Sequence, residues 1–204
     1  MPTPIVEFWY EFASTYSYLA AMRIESEAQQ AGVEIAWRPF LLGPIFAAQG
    51  WTSSPFNLYP AKGRYMWRDL EREAAALGLP FRQPDPFSQN SLLAARVALV
   101  GVEAGWGADF SKAVYRAEFG EGRSIADPDL IASLLRDLGV EPISAIGVAQ
   151  SDGNKARLRA ECDEARVRGV FGAPTFLTAG GELFWGNDRL ERALTWAAKA
   201  GLTG

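Results

Sequence analysis

A chain of 204 residues, 49% hydrophobic and 22% charged, is long enough to bury a full core and too apolar to stay disordered. Its net charge of −4, with Lys and Arg scattered among acids, excludes the basic footprint of a nucleic-acid or anionic-membrane binder. With no histidine and a single cysteine, Cys162, it excludes a Ser-His-Asp triad, a Cys-His dyad, His-based metal sites and an intrachain disulfide.

In chain order, Ile5-Val6-Glu7-Phe8-Trp9-Tyr10 is short, branched and aromatic, the pattern of a buried strand. Phe12-Ala13-Ser14-Thr15 breaks it, and Ser14 and Thr15 are good N-cap types for a helix from about Tyr16. Leu19 and Met22 fall on one line of that helix, and Ala20, Ile24 and Ala28 on the next. Gly32 ends it in the usual C-terminal position. Val33, Ile35 and Trp37 then alternate with polar or small residues as a half-buried strand, which completes a βαβ unit.

From Gly43 to Pro60 the Gly, Pro, Ser and aromatic content predicts a long loop. Helical patterns follow: Met66, Leu70, Ala74 and Leu77 share a face, as do Leu93, Val97, Val100 and Ala104. Asp127-Pro128 is a helix start. Leu158, Cys162 and Ala165 form another stripe, with Cys162 in the core. The charges between Arg157 and Arg168 read as its solvated face. At the end, Pro174 to Thr178 is extended, Ala179-Gly180-Gly181 is a hairpin turn and Glu182 to Trp185 a second strand. Gly186-Asn187-Asp188 caps a last helix carrying Leu190, Ala193, Leu194 and Ala197. The order βαβ, helical block, ββα predicts an α/β thioredoxin-like fold with an all-helical insertion. Residues 1–42 and 170–204 make the thioredoxin-like domain and 43–169 the insertion. No secretory leader pattern opens the chain and no apolar stretch reaches membrane-spanning length, so the expected compartment is the cytoplasm.

Four segments carry a resemblance. Phe12-Ala13-Ser14-Thr15-Tyr16-Ser17 stands where a thioredoxin has Cys-x-x-Cys. Gly172-Ala173-Pro174-Thr175 looks like that fold's cis-proline loop. Phe184 to Leu190, and Asn57 through Pro60-Ala61-Lys62-Gly63-Arg64-Tyr65 with Asp69, supply the other two. Together they resemble the 2-hydroxychromene-2-carboxylate isomerases and, more distantly, the kappa-class glutathione transferases, over essentially the whole chain. The resemblance implies a homodimeric, glutathione-dependent enzyme of aromatic hydrocarbon degradation that interconverts 2-hydroxychromene-2-carboxylate and trans-o-hydroxybenzylidenepyruvate. It implies that Ser14 holds the glutathione sulfur and that the Ala173–Pro174 bond, in cis, presents the Ala173 backbone to the tripeptide. Asn187 and Asp188 would take the γ-glutamyl group, and Asn57 and Lys62 would complete the site, Lys62 on the glycyl carboxylate.

Each residue also has a plainer reading. Ser14, Asn187 and Asp188 can be helix caps, Pro174 a strand-entry proline, and Lys62 a solvated lysine. Thr15 follows Ser14 where the family commonly has proline, which leaves Thr15 and Ser17 as further hydroxyls for the same role. Phe12, Tyr16 and Trp67 are expected in the core, whereas Trp51 and Phe56 suit the walls of an aromatic site. Three other outcomes stay open: a kappa-like transferase, which releases a conjugate; a DsbA-like oxidoreductase, which Ser14 and Ser17 in the Cys-x-x-Cys places disfavour; and a non-enzymatic binding or chaperone module, which predicts no thiolate band when glutathione is added. No metal is expected.

Overall fold

The computed structural model of the protein describes residues 3–50 and 55–203. Four strands form one mixed sheet in the order β2-β1-β3-β4. They are β1 (Ile5–Tyr10), β2 (Glu34–Pro39), β3 (Thr175–Thr178) and β4 (Leu183–Trp185). β1 runs parallel to β2 and antiparallel to β3, and β3 pairs antiparallel with β4. Between β1 and β2 lies α1 (Thr15–Ala31), and after β4 a single 3-10 turn (Asn187–Arg189) leads into α10 (Leu190–Thr203). This is the thioredoxin-like arrangement that the order of elements predicts, with the first and last strands in one sheet. Gly32 ends α1 at φ 66°, the left-handed conformation for which glycine is suited.

The alternation of β1 sorts its side chains between two buried layers. Val6, Phe8 and Tyr10 face the main core, together with Phe176, Trp37 and the inner faces of α1 and α10. The Phe8 ring stacks on Tyr10 and Phe176 with centroids 5.1 and 5.6 Å apart and meets Trp37 edge-on at 5.1 Å. Such pairs add about 0.5–1.5 kcal/mol each beyond their buried area. Trp9 points the other way, into a smaller cluster with Phe40, Ile45, Cys162 and Leu177.

Between β2 and β3 the described chain is helical: α2 (Leu42–Ala48), α3 (Pro55–Leu58), α4 (Pro60–Ala76), α5 (Leu92–Ala104), α6 (Gly107–Tyr115), a π-helical turn (Arg116–Gly120), α7 (Pro128–Asp137), α8 (Pro142–Ala149) and α9 (Asp152–Val167). Asp127 caps α7 by accepting the Asp129 N–H, as the Asp-Pro pair predicts.

Three expectations are corrected. The stretch from Gly43 to Pro60 is not one loop but contains α2 and α3. Leu41, the residue before α2, makes no side-chain cap bond, so no local signal announces that helix. The inner face of α5 is built mainly from Ala94, Ala95, Val97, Ala98 and Gly101, and Ala104 is exposed, because α5 packs closely against α6 on small residues. The charged face of α9 is not simply solvated. Glu161 pairs with Arg38 at 2.9 Å and Arg168 with Glu7 at 2.8 Å, so α9 lies over the charged edge of the β1–β2 pair.

The corner between α5 and α6 leaves no room for a side chain at Gly107. A Cβ there would lie 2.5 Å from the Val102 nitrogen and 2.8 Å from the Gly101 carbonyl carbon, both backbone atoms that cannot step aside. Gly107→Ala is expected to destabilise the fold by about 1–3 kcal/mol, read as a lower urea midpoint at an unchanged m-value.

Candidate active site

After Tyr10 the chain turns through Glu11, Phe12 and Ala13 to Ser14, whose extended backbone (φ −90°, ψ 113°) makes it the N-cap of α1. The Ser14 Oγ accepts the Ser17 N–H at 3.3 Å, the cap bond. The same hydroxyl donates its proton to the Ala173 carbonyl at 2.9 Å, across 159 positions of sequence. Ala173–Pro174 is a cis bond, and the Ala173 N–H has no hydrogen-bond partner among the described residues. The three neighbouring hydroxyls differ. Thr15 is buried and donates to the Met66 sulfur at 3.3 Å, and Ser17 is fully buried. Ser14 is half-buried and lines a cavity.

That cavity has a volume of about 1420 Å³ among the described residues. It is lined by the β1–α1 turn, α2, α4, residues 87–92, Gly172, Ala173 and the segment from Trp185 to Arg189. Of the residues singled out in the sequence, Ser14, Lys62, Ala173, Asn187 and Asp188 all line it, as does Phe56. Pro174 is buried beside it and is not part of the lining. Asn57, on α3, has an exposed side chain and does not line the cavity. Lys62 is exposed and lies over the Tyr59 ring at 5.4 Å. Trp51 lies outside the described residues.

Asn187 and Asp188 do different work. Asn187 is buried, and its side-chain oxygen accepts from Arg23 Nε at 3.2 Å while its backbone carbonyl accepts a second Arg23 nitrogen at 2.7 Å. Arg23, on α1, also pairs with Glu191, so α1 holds the 3-10 turn in place through one guanidinium. Asp188 is exposed and pairs with Arg189 at 2.7 Å, a contact weak enough to be exchanged for a ligand. Gly172 is required by Trp185: a Cβ on it would sit 2.4 Å from the indole nitrogen. The Phe171 ring lies tilted against that indole, with centroids 5.0 Å apart, giving the cavity an aromatic rim.

Tyr16 corrects a core assignment. Phe12 is buried as expected and Trp67 is half-buried, but Tyr16 lines the cavity and donates its hydroxyl to Asp69 at 2.9 Å. Asp69 also accepts from Arg72 at 2.8 Å. Sequence reading missed two acids altogether. Glu11 lines the cavity although only 5% exposed. Burial pushes its carboxyl up, while Ser91 and backbone N–H groups pull it back. Glu118, in the π-helical turn, is fully buried with neither carboxylate oxygen hydrogen-bonded among the described residues. Desolvation, helped by the nearby Glu11, holds it well above the usual carboxylate range. For Glu11 the available signal was a lone acid between Tyr10 and Phe12; for Glu118 there was none beyond its place between Ala117 and Phe119.

Residues 5–195 match the family model of the DSBA-like thioredoxin domain. The chain is 30% identical to the 2-hydroxychromene-2-carboxylate isomerase of Pseudomonas putida, over 91% of this chain and 90% of that protein. It is 25% identical to glutathione S-transferase kappa 2 of Caenorhabditis elegans, over 96% of this chain and 92% of the other. A solved structure of a 2-hydroxychromene-2-carboxylate isomerase superposes with a TM-score of 0.85 at 29% identity, covering 98% of this chain and 96% of that one.

Because the folded state raises the Glu118 pKa above its ordinary 4.5, it holds the proton more tightly than the unfolded chain does. The stabilisation from this group is therefore complete below that value and is lost as pH climbs above it. Urea unfolding of the wild type and of Glu118→Gln across pH 4 to 8 is expected to show the variant gaining on the wild type as pH rises; a constant difference between the two would contradict it.

Proposed function

We propose, on the premise that this chain belongs to the DSBA-like thioredoxin domain family and to the 2-hydroxychromene-2-carboxylate isomerases within it, that it is an enzyme catalysing the glutathione-dependent cis–trans isomerisation of an aromatic α,β-unsaturated α-keto acid. One observation carries the reading: the Ser14 hydroxyl and the Ala173 carbonyl lie 2.9 Å apart on the wall of a single large cavity. Its volume of about 1420 Å³ exceeds the roughly 300–1,000 Å³ of a pocket for one drug-sized ligand, which suits a tripeptide and a flat aromatic acid side by side.

The residues present fit glutathione. The Ala173 N–H lacks a partner among the described residues and its carbonyl is held only by a rotatable hydroxyl, so both backbone groups suit the strand-like pairing of an extended peptide. Asp188 would take the γ-glutamyl ammonium by exchange with Arg189, and Lys62 the glycyl carboxylate; both line the cavity. Asn187 acts through the Arg23 anchor, keeping the 3-10 turn at the correct distance from Ser14. Bound there, glutathione supplies a thiolate whose reversible addition turns a conjugated double bond into a single bond free to rotate.

The work of Ser14 is to exchange acceptors. A serine hydroxyl has one proton to donate; when a peptide N–H takes over the Ala173 carbonyl, that proton becomes available to a sulfur at the start of α1. A free thiol titrates near about 8.5, and a hydrogen bond to a charged group contributes roughly 1.5–3 kcal/mol. The α1 N-terminus adds about 0.3–1 kcal/mol. Their sum matches the roughly 2.7 kcal/mol that a two-unit shift requires, without histidine or any basic side chain. The aromatic rim of Phe171 and Trp185, together with Phe56, suits the planar substrate. The same reading places the enzyme in the cytoplasm as a homodimer, in aromatic hydrocarbon degradation. Among the described residues no helix is long and apolar enough to cross a membrane.

The kinship with a kappa-class transferase makes conjugation the competing outcome. Product analysis separates them: the isomerase leaves glutathione unconsumed. Ser14→Ala is expected to lower kcat about ten- to a hundred-fold at neutral pH, the loss of one charge-assisted bond. A pH–rate profile at saturating glutathione should show that deficit shrinking at high pH, where the thiol ionises unaided. Full activity of Ser14→Ala at neutral pH would reduce Ser14 to a helix cap.

A further inference from the structure

The Glu11 carboxylate gathers donors from three separate walls of the cavity. Its Oε1 accepts the Ala13 N–H of the β1–α1 turn at 3.3 Å and the Ser91 hydroxyl just ahead of α5. Its Oε2 accepts the N–H of Leu42, the first residue of α2, at 2.9 Å. The Glu11 backbone carbonyl takes two more, the Ser14 N–H at 3.0 Å and the Tyr115 hydroxyl at 2.9 Å. Leu41 offers α2 no side-chain cap, so Glu11 caps that helix from outside it.

Among the described residues Glu11 makes no ion pair. Tyr115 on α6, Glu118 on the π-helical turn and Cys162 on α9 all feel its charge, and none of them is a cation. These N–H and O–H donors are thus what hold the buried carboxylate. Only a carboxylate accepts at both oxygens; glutamine would set an N–H against one of the donors.

We propose that Glu11 is a positioning residue of this site, clamping the turn that carries Ser14 to the cavity walls formed by α2 and the start of α5. This rests on the reading of Ser14 as the residue that holds the glutathione sulfur. A residue serving stability alone would be expected to hold parts of the core; Glu11 instead holds the serine's own turn, the start of α2 and the segment just ahead of α5, all three of which line the cavity.

The test has two arms. Amide hydrogen exchange of the free protein should show Ala13 and Leu42 exchanging about tenfold faster or more in Glu11→Gln, the weight of one bond to a charged group, while Phe8 in β1 stays protected. Ser91→Ala should accelerate the same two amides less, and it serves if Glu11→Gln does not fold. Unchanged exchange, or equal acceleration throughout β1, overturns the clamp. The second arm reads the pH midpoint of the ultraviolet thiolate band of bound glutathione in the wild type, Glu11→Gln, Ser14→Ala and the double variant. Glu11→Gln should raise the midpoint by about one unit in the wild-type background, again one such bond, and leave it unmoved in the Ser14→Ala background. The same shift in both backgrounds, or none in either, overturns the proposal. A wild type with no thiolate band refutes the glutathione reading and leaves the exchange arm to judge the clamp.

Discussion

The antiparallel register of β1 on β3 is the constraint on which the site depends. Trp9 sits opposite Thr175 and Phe8 opposite Phe176, so the chain leaving β1 and the chain entering β3 meet at the same end of the sheet. That is where Ser14 reaches Ala173, 159 residues away. Side chains alternate along a strand, so a slip of one residue would turn Phe8 and Tyr10 out of the main core and Trp9 into it. The aromatic contacts of Phe8 with Tyr10, Trp37 and Phe176 resist that slip. Packing of large rings thereby sets the distance between a hydroxyl and a carbonyl that belong to opposite ends of the chain.

Around that junction stand hydroxyls, amides and carboxylates, in a chain without histidine. Ser14, Thr15 and Ser17 lie within one turn of helix, yet their surroundings give them different uses: Ser14 faces the cavity, Thr15 meets Met66 and Ser17 is sealed in the core. The acids divide similarly. Asp188 and Asp69 pair with arginines at the cavity wall. Glu11 and Glu118 are buried without an ion pair among the described residues, and desolvation disfavours charge on both. Residue type alone assigns none of these roles. The difference between a paired acid at the wall and a buried one is a difference in solvent and in donors.

Arg23 illustrates how the site is kept in shape from a distance. It belongs to the same helix that Ser14 caps, and it grips Asn187 in the 3-10 turn that also lines the cavity. One helix therefore carries the serine at its start and holds that turn from further along its length. The Gly186 N–H on the Pro174 carbonyl at 3.0 Å is a second anchor of the same segment.

The sequence alone determined the strands, the first helix with its cap and its glycine stop, the Asp-Pro start of α7, and the order βαβ, helices, ββα. Each is written locally, in periods of 2 and 3.6 and in capping residues that act over three or four positions. It also singled out Ser14, Lys62, Ala173, Asn187 and Asp188, which the fold brings to one cavity. What only the tertiary structure decided rests on contacts between distant residues. Helix α2 has no local signature because its cap is Glu11, some 30 positions earlier, rather than Leu41 beside it. Tyr16 looks like core in sequence because an aromatic on a helix gives no sign of the Asp69 that meets it. Glu11 carries only the faint signal of a lone acid between two aromatics and Glu118 less still, since a buried glutamate is indistinguishable in sequence from a solvated one until the chain closes around it and removes the water.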